Sequence, residues 1–351
     1  MIKLVWKSAL FVLPFVILHL VNERYYADTS NELERIGLIY SSARHAPDTA
    51  GVPKMYGELS NVFNRGEREF DYFIIGDSFT RQKRSGFQQK MGELMEGRVT
   101  TLTYQHSEMR SPFQELDNLL NGDFFDSVKV DYIILECVER MLIQRAVRFA
   151  PDSMTRTYSD VHAEFTRART AVRRDPVQFF SGNTVKVPLT NLMYLFSDKP
   201  LWSQTYVTQI DRPLFMHEPT TLMFYEGELD ERVWWENIES PEDSIVKCLK
   251  VLMDKADRRG IALYFLPAPD KFTVYRPYML DDSYPATTPL LSNLEAMNHP
   301  RYLPTLSFIQ SQIDQVPFYK FDNTHWSEAG SESVAEMVFL RAADLEGVRK
   351  D

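Results

Sequence analysis

Residues 70–79 read FDYFIIGDSF. Positions 70–75 form an almost wholly apolar run, too short for an ordinary helix and closed by Gly76, so they read as a buried strand. Gly76-Asp77-Ser78-Phe79 makes a sharp exit, and residues 81–95 carry a helical pattern. Working outward, 99–104 is a second strand, 112–120 a helix and 130–137 (VDYIILEC) a third, buried strand. Residues 244–259 have helical periodicity, stop before Gly260 and lead into a strand at 261–266; a last helix is expected over 327–345. Strands alternating with helices predict an α/β domain, a three-layer parallel sheet with helices on both faces. The stretch at about 150–235, with Pro188, Pro200, Pro213 and Pro219 and many aromatics, breaks that rhythm and reads as an insertion beside the active face.

Composition narrows the function classes. The 351 residues hold 39 basic and 49 acidic side chains, a formal charge of −10, which opposes general nucleic-acid binding because phosphate neutralisation needs a basic face. Aromatics at 13% supply a large core, so disorder is excluded. Two cysteines, Cys137 and Cys248, exclude a disulfide framework and a Cys-rich zinc site, and no metal set is evident.

The first 21 residues, MIKLVWKSALFVLPFVILHLV, place Lys3 and Lys7 ahead of an apolar run over 9–21 that only His19 interrupts. At ~1.5 Å per helical residue this stretch crosses a ~30 Å hydrocarbon core if both lysines snorkel. No small-residue cleavage site follows, so residues 1–22 read as an uncleaved, single-pass signal-anchor in the inner (cytoplasmic) membrane. The lysines on its cytoplasmic side put the remainder in the periplasm or its equivalent. Residues 23–69 are then a linker and N-terminal segment, and 70–351 the catalytic domain with its insertion.

In a parallel sheet, reactive side chains sit beyond the carboxyl ends of the strands, and Ser78 occupies that position. The tight turn exposes its hydroxyl, and backbone N–H groups at the start of the following helix would face an oxyanion formed there. A serine nucleophile needs a base held by a carboxylate. Of seven histidines only His325 has an aspartate three residues before it, in Asp322-Asn323-Thr324-His325-Trp326. Ser78 as nucleophile, His325 as base and Asp322 as orienting acid form the expected triad; Glu136 and Glu139 are the alternative carboxylates.

GDSF near one end and DxxH near the other resemble the SGNH (GDSL) hydrolase superfamily. Leu266-Pro267-Ala268-Pro269-Asp270-Lys271, then Tyr275, Pro277 and Tyr278, and THW with Gly330, resemble its alginate O-acetyltransferase branch of membrane-anchored acyltransferases. Three short motifs carry the likeness. Two superfamily features are missing: Tyr104-Gln105-His106-Ser107 stands where an oxyanion-hole glycine is usual, and Glu136-Cys137-Val138-Glu139-Arg140 where a Gly-x-Asn-Asp block is usual. Gln105 and Arg140 are therefore candidate side-chain donors, with a Glu139–Arg140 ion pair as the structural alternative for the second. Gly76, Asp77, Lys271, Tyr275 and Trp326 complete the candidate oxyanion and substrate-binding set. Trp202, Tyr206, Phe224, Tyr225, Trp234 and Trp235 offer flat surfaces suited to sugar faces.

The resemblance implies an O-acyltransferase, acetyl being preferred over D-alanyl, that acylates a polysaccharide or cell-wall glycan through an acyl-serine intermediate. It implies no bound cofactor; a polytopic membrane-bound O-acyltransferase would deliver the acyl group. An esterase or deacetylase with the same triad is the alternative, and a non-catalytic glycan-binding or assembly subunit the third reading.

Overall fold

The computed structural model describes residues 2–25, 32–40, 57–82, 85–96, 98–103, 111–170, 189–216 and 220–350. Its strands in chain order are β1 (Gly57–Glu58), β2 (Glu69–Gly76), β3 (Val99–Thr103), β4 (Lys129–Val138), β5 (Thr205–Gln209), β6 (Thr221–Tyr225) and β7 (Ala262–Ala268). β2, β3, β4 and β7 make a parallel sheet to which two-residue β1 adds an edge, in the order β1-β3-β2-β4-β7. Ile74 and Ile75 of β2 stand beside Ile134 and Leu135 of β4, and Glu136 beside Leu266 of β7. Successive residues from Tyr132 to Val138 are buried although neighbours point to opposite faces, so both faces of the sheet are covered. The α/β class expected from the sequence is present.

Strand β7 runs two residues further than the sequence indicates and includes Pro267. The register explains why proline is tolerated. Phe265 N donates outward to Arg301 O at 2.9 Å, so the nitrogen of Pro267, two residues on, also faces away from β4. Leu303 N donates back to Phe265 O at 2.9 Å, and this short segment blunts the sheet edge.

The crossover helices form where apolar spacing and terminal residues agree. Pro112–Asn121 and Pro241–Arg258 both begin with proline in the first turn, and Gly260, at φ 75°, takes the left-handed conformation just past the second. The helix expected over 81–95 begins only at Phe87 and ends at Leu94. Side chains hold the preceding residues as a turn instead: Thr80 Oγ1 donates to Asp77 O (2.9 Å) and Gln82 Nε2 to Ser78 O (3.2 Å). In the C-terminal helix Glu328–Lys350, a Cβ on Gly330 would lie 2.3 Å from Phe318 O, so glycine lets the helix meet the loop before it.

Within 23–69 lie the helix Glu32–Tyr40, β1 and the helix Ser60–Arg65. The insertion contributes the helix Tyr158–Thr170 and the antiparallel pair β5–β6. Tyr206 and Phe224 stack at 5.0 Å, and Phe224 meets Phe272 at 5.0 Å, so these two candidate sugar platforms are packed inward. Trp202 remains 62% exposed.

The N-terminal helix runs Ile2–Tyr25, and Leu10, Phe11, Val12, Leu13, Phe15, Val16, Ile17 and Leu18 are each at least 41% exposed. Among the described residues, no helix is long and apolar enough to cross a membrane.

Candidate active site

The Gly-Asp-Ser turn caps β2 at its carboxyl end. A Cβ on Gly76 would sit 2.4 Å from Glu136 Oε2 and 2.7 Å from Thr80 Cγ2. Glycine is needed here for clearance against β4; among the described residues the left-handed glycines are Gly66 and Gly260. Through that gap Asp77 N donates to Glu136 Oε2 at 2.8 Å. Asp77 turns into the sheet, where its Oδ2 accepts from Val138 N (3.0 Å) and Arg145 Nη1 (2.5 Å). Gly76 and Asp77, candidates for the substrate set, are thus scaffold.

Glu136 and Asp77 share one negative charge. Burial, followed by the Asp77 charge, pushes the Glu136 carboxyl well above the usual range. Burial also opposes ionisation of Asp77, but the Arg145 guanidinium, Glu136 and the Val138 N–H outweigh it and hold that carboxyl below its ordinary value. The result is an Asp77–Arg145 ion pair beside a protonated Glu136, all directed at locking the turn to β4. Glu136 is occupied there and does not serve as the orienting carboxylate.

Ser78 stands half-exposed at the tip. Its carbonyl accepts from Arg81 N (3.3 Å) and Gln82 Nε2 (3.2 Å), while its Oγ makes no hydrogen bond among the described residues. The helix Phe87–Leu94 starts nine residues later, so helix-start N–H groups do not frame Ser78 as expected. Phe79, 1% exposed, folds beneath the turn and meets the His325 ring at 5.0 Å and the Trp326 ring at 4.7 Å. Trp326, also 1% exposed, is the apolar wedge joining the two motifs and does not face substrate.

The second motif is a tight loop closed by the Tyr319–Trp326 bridge, with Lys320 N donating to His325 O at 3.1 Å. Lys320 Nζ ties it to the serine turn through Ser85 Oγ (2.7 Å) and Gln82 Oε1 (3.4 Å). Ser78 and His325 are therefore brought to one end of the sheet. The orienting group differs from the expectation. His325 Nδ1 lies 2.6 Å from Asn323 Oδ1, which also accepts from His325 N at 3.3 Å. An asparagine oxygen readily takes a backbone N–H two residues on, and in that conformation it also reaches the ring. An Asp322–His325 hydrogen bond is not among those of the described residues.

Lys271, expected at the solvent rim, is fully buried. Its Nζ donates to Phe321 O (2.6 Å), Lys320 O (2.9 Å) and Asn323 O (3.4 Å), and lies 4.7 Å from the Phe215 ring centre. Burial brings its pKa down to about 7 against the opposing pull of Glu228 and Asp322. Tyr275, likewise placed on the rim by the sequence, is buried between the rings of Phe215 (4.8 Å) and Tyr319 (5.8 Å). Gln105 lies outside the described residues.

Arg140 does not pair with Glu139. Its backbone N donates to Asp270 Oδ2 at 2.8 Å and its Nη1 to Asp270 Oδ1, so it braces the loop after β7. Glu139 instead accepts from Asp270 N (2.7 Å) and Thr273 Oγ1 (2.9 Å). Glu231 joins this knot, with Thr288 Oγ1 donating to its Oε2 at 2.8 Å, and burial raises its pKa to about 7. The folded state then binds more protons than the unfolded state between about pH 4.5 and 7, so this group's contribution to stability falls as pH rises through that window. Glu231→Gln should unfold at a higher urea concentration than the parent at pH 8, by up to about 3 kcal/mol, and match it near pH 4.5. An equal difference at both pH values would refute the assignment.

Among the described residues no cluster of three or more His, Cys, Asp or Glu side chains could hold a metal ion. A cavity at the opposite end of the sheet is lined by Glu69, Arg98, Lys129 and Arg259 among others, with Arg98 paired to Asp71 (3.0 Å) and Arg259 to Asp126 (2.8 Å). It contains neither serine nor histidine. Compared with protein-family models, curated proteins and solved structures, the chain matches none.

Proposed function

We propose that the chain is a serine acyl-transferring enzyme, an O-acyltransferase that acylates an extracytoplasmic glycan. The observation that carries this reading is a half-exposed serine hydroxyl at the end of β2, tied through Phe79 and Gln82 to the loop that holds His325. In the proposed cycle His325 Nε2 takes the Ser78 hydroxyl proton while Oγ attacks the donor carbonyl. The proton passes to the departing donor group, leaving an acyl-serine. The acceptor hydroxyl then gives its proton to His325 and attacks the acyl carbon, and His325 passes that proton to the departing Ser78 Oγ. An esterase runs the same steps with water as acceptor and is the second reading.

Membrane attachment rests on the helix Ile2–Tyr25. Exposed apolar residues at consecutive positions 10–13, turning ~100° each, point around most of its circumference, whereas a helix packed on a soluble domain buries one face. With Lys7 on the cytoplasmic side, the catalytic domain lies in the periplasm or its equivalent. The resemblance to anchored acetyltransferases supports a polytopic acyltransferase as donor partner. A serine-directed fluorophosphonate applied to the full-length protein in detergent should label Ser78 and no other residue. Labelling elsewhere, or none, would overturn the nucleophile assignment and leave the binding-subunit reading; transfer to a glycan hydroxyl in preference to water separates transferase from esterase.

A further inference from the structure

The helix Glu32–Tyr40 reaches the histidine loop. Asn323 Nδ2 donates to Glu34 Oε1 at 3.0 Å, while Asn323 Oδ1 lies 2.6 Å from His325 Nδ1. One turn further along the helix, a Cβ on Gly37 would lie 2.5 Å from Asp322 Cβ, so the helix sits directly on the loop. Leu33 and Ile36 are buried, and Glu32 Oε2 accepts from Gln204 N at 2.9 Å, which fixes the helix against the domain.

We propose that Glu34 is a positioning residue for His325, acting through the Asn323 amide. An amide has one donating end and one accepting end, and a carboxylate only accepts. Glu34 on the NH₂ end, together with the His325 backbone N–H on the oxygen, therefore makes Asn323 present its oxygen to the imidazole. That oxygen requires Nδ1 to carry the proton, which leaves the lone pair on Nε2, the nitrogen used as base. Without Glu34 only the 3.3 Å bond from His325 N opposes turning the amide over to present its NH₂, which would stabilise the wrong tautomer. The segment that follows the apolar N-terminal helix, read from sequence as linker, thus completes the active site. This inference rests on the serine-enzyme reading for its consequence, while the tautomer it concerns is measurable without turnover.

The test uses full-length protein labelled with ¹⁵N-histidine in detergent, with the His325 resonances identified by their loss in His325→Gln. The parent should show His325 protonated at Nδ1 above its titration. Glu34→Ala should shift it toward the Nε2-protonated form and slow fluorophosphonate labelling of Ser78 by about 10-fold or more. Asn323→Asp in the Glu34→Ala background supplies a carboxylate directly and should restore both the Nδ1 proton and the labelling rate. An unchanged tautomer in Glu34→Ala overturns the proposal, as does slower labelling that Asn323→Asp fails to rescue, since that marks a merely structural contact. A tautomer shift in a protein whose Ser78 never labels upholds the relay and rejects the serine-enzyme reading. If Glu34→Ala does not fold, Glu34→Gln answers the same question: its amide offers either end to Asn323, so a mixture of tautomers is expected and a pure Nδ1-protonated ring refutes the relay.

Discussion

Ser78→Ala is expected to abolish acyl-enzyme formation and lower kcat by at least about 10³-fold, with no change in melting temperature. The side chain is half-exposed and its Oγ makes no hydrogen bond among the described residues, so its removal leaves the turn intact. What holds the turn is Asp77, Glu136 and Arg145. His325→Ala should cost about as much, and the double variant little more, because nucleophile and base act as one unit. Asp322→Asn separates the sequence expectation from the geometry. A triad oriented by Asp322 would lose about 10³ to 10⁴ in turnover on that change; with Asn323 on Nδ1, the loss should stay below about 10-fold. Steady-state hydrolysis of a small acyl ester, with melting curves alongside, checks all four variants. A fully active Ser78→Ala enzyme would remove the assignment of the nucleophile.

The contrast between Asp322 and Asn323 shows what is legible in one sequence. Strands β2 and β4 are buried on both faces, so they appear as continuous apolar runs; Gly76 closes β2, and Gly260 separates the helix Pro241–Arg258 from β7. Ser78 follows the end of β2 and His325 lies in the loop ahead of the last helix, positions that apolar runs and helix starts mark in the sequence. Choosing between two neighbouring side chains as partner of Nδ1 depends on loop conformation, which spacing does not encode. The late start of the helix at Phe87 depends on which backbone groups Thr80 and Gln82 reach. Arg140 and Glu139 looked like a local pair because they are adjacent, yet each finds its partner in the loop after β7, about 130 residues on. Glu34 was hidden for the same reason: its partner is separated from it by 289 positions.

Lys271 is the most misleading residue to read in isolation, and its replacement should have the largest structural effect. A lysine after a strand reads as a solvated rim charge, but here its ammonium is the shared donor for three carbonyls of the loop that carries His325. Lys271→Met fills much of the same volume with an apolar chain and leaves those carbonyls without that donor in a buried site. The expected cost is about 2 kcal/mol or more. Because the loop then loses its internal tie, Ser78 labelling should also fall even where the variant is folded. The pH dependence identifies the cause. In the folded protein the ammonium titrates near pH 7, against an ordinary value of 10.5, so the unfolded chain binds more protons throughout that interval. The parent's stability therefore gains from Lys271 as pH rises from about 7 toward 10, and a methionine cannot follow it. Urea unfolding at pH 6.5 and 9.5 should show the gap between parent and Lys271→Met widening at the higher pH. A gap that narrows would mean that the charged form is the one the fold favours, and that the carbonyl cage outweighs the burial that lowers the pKa.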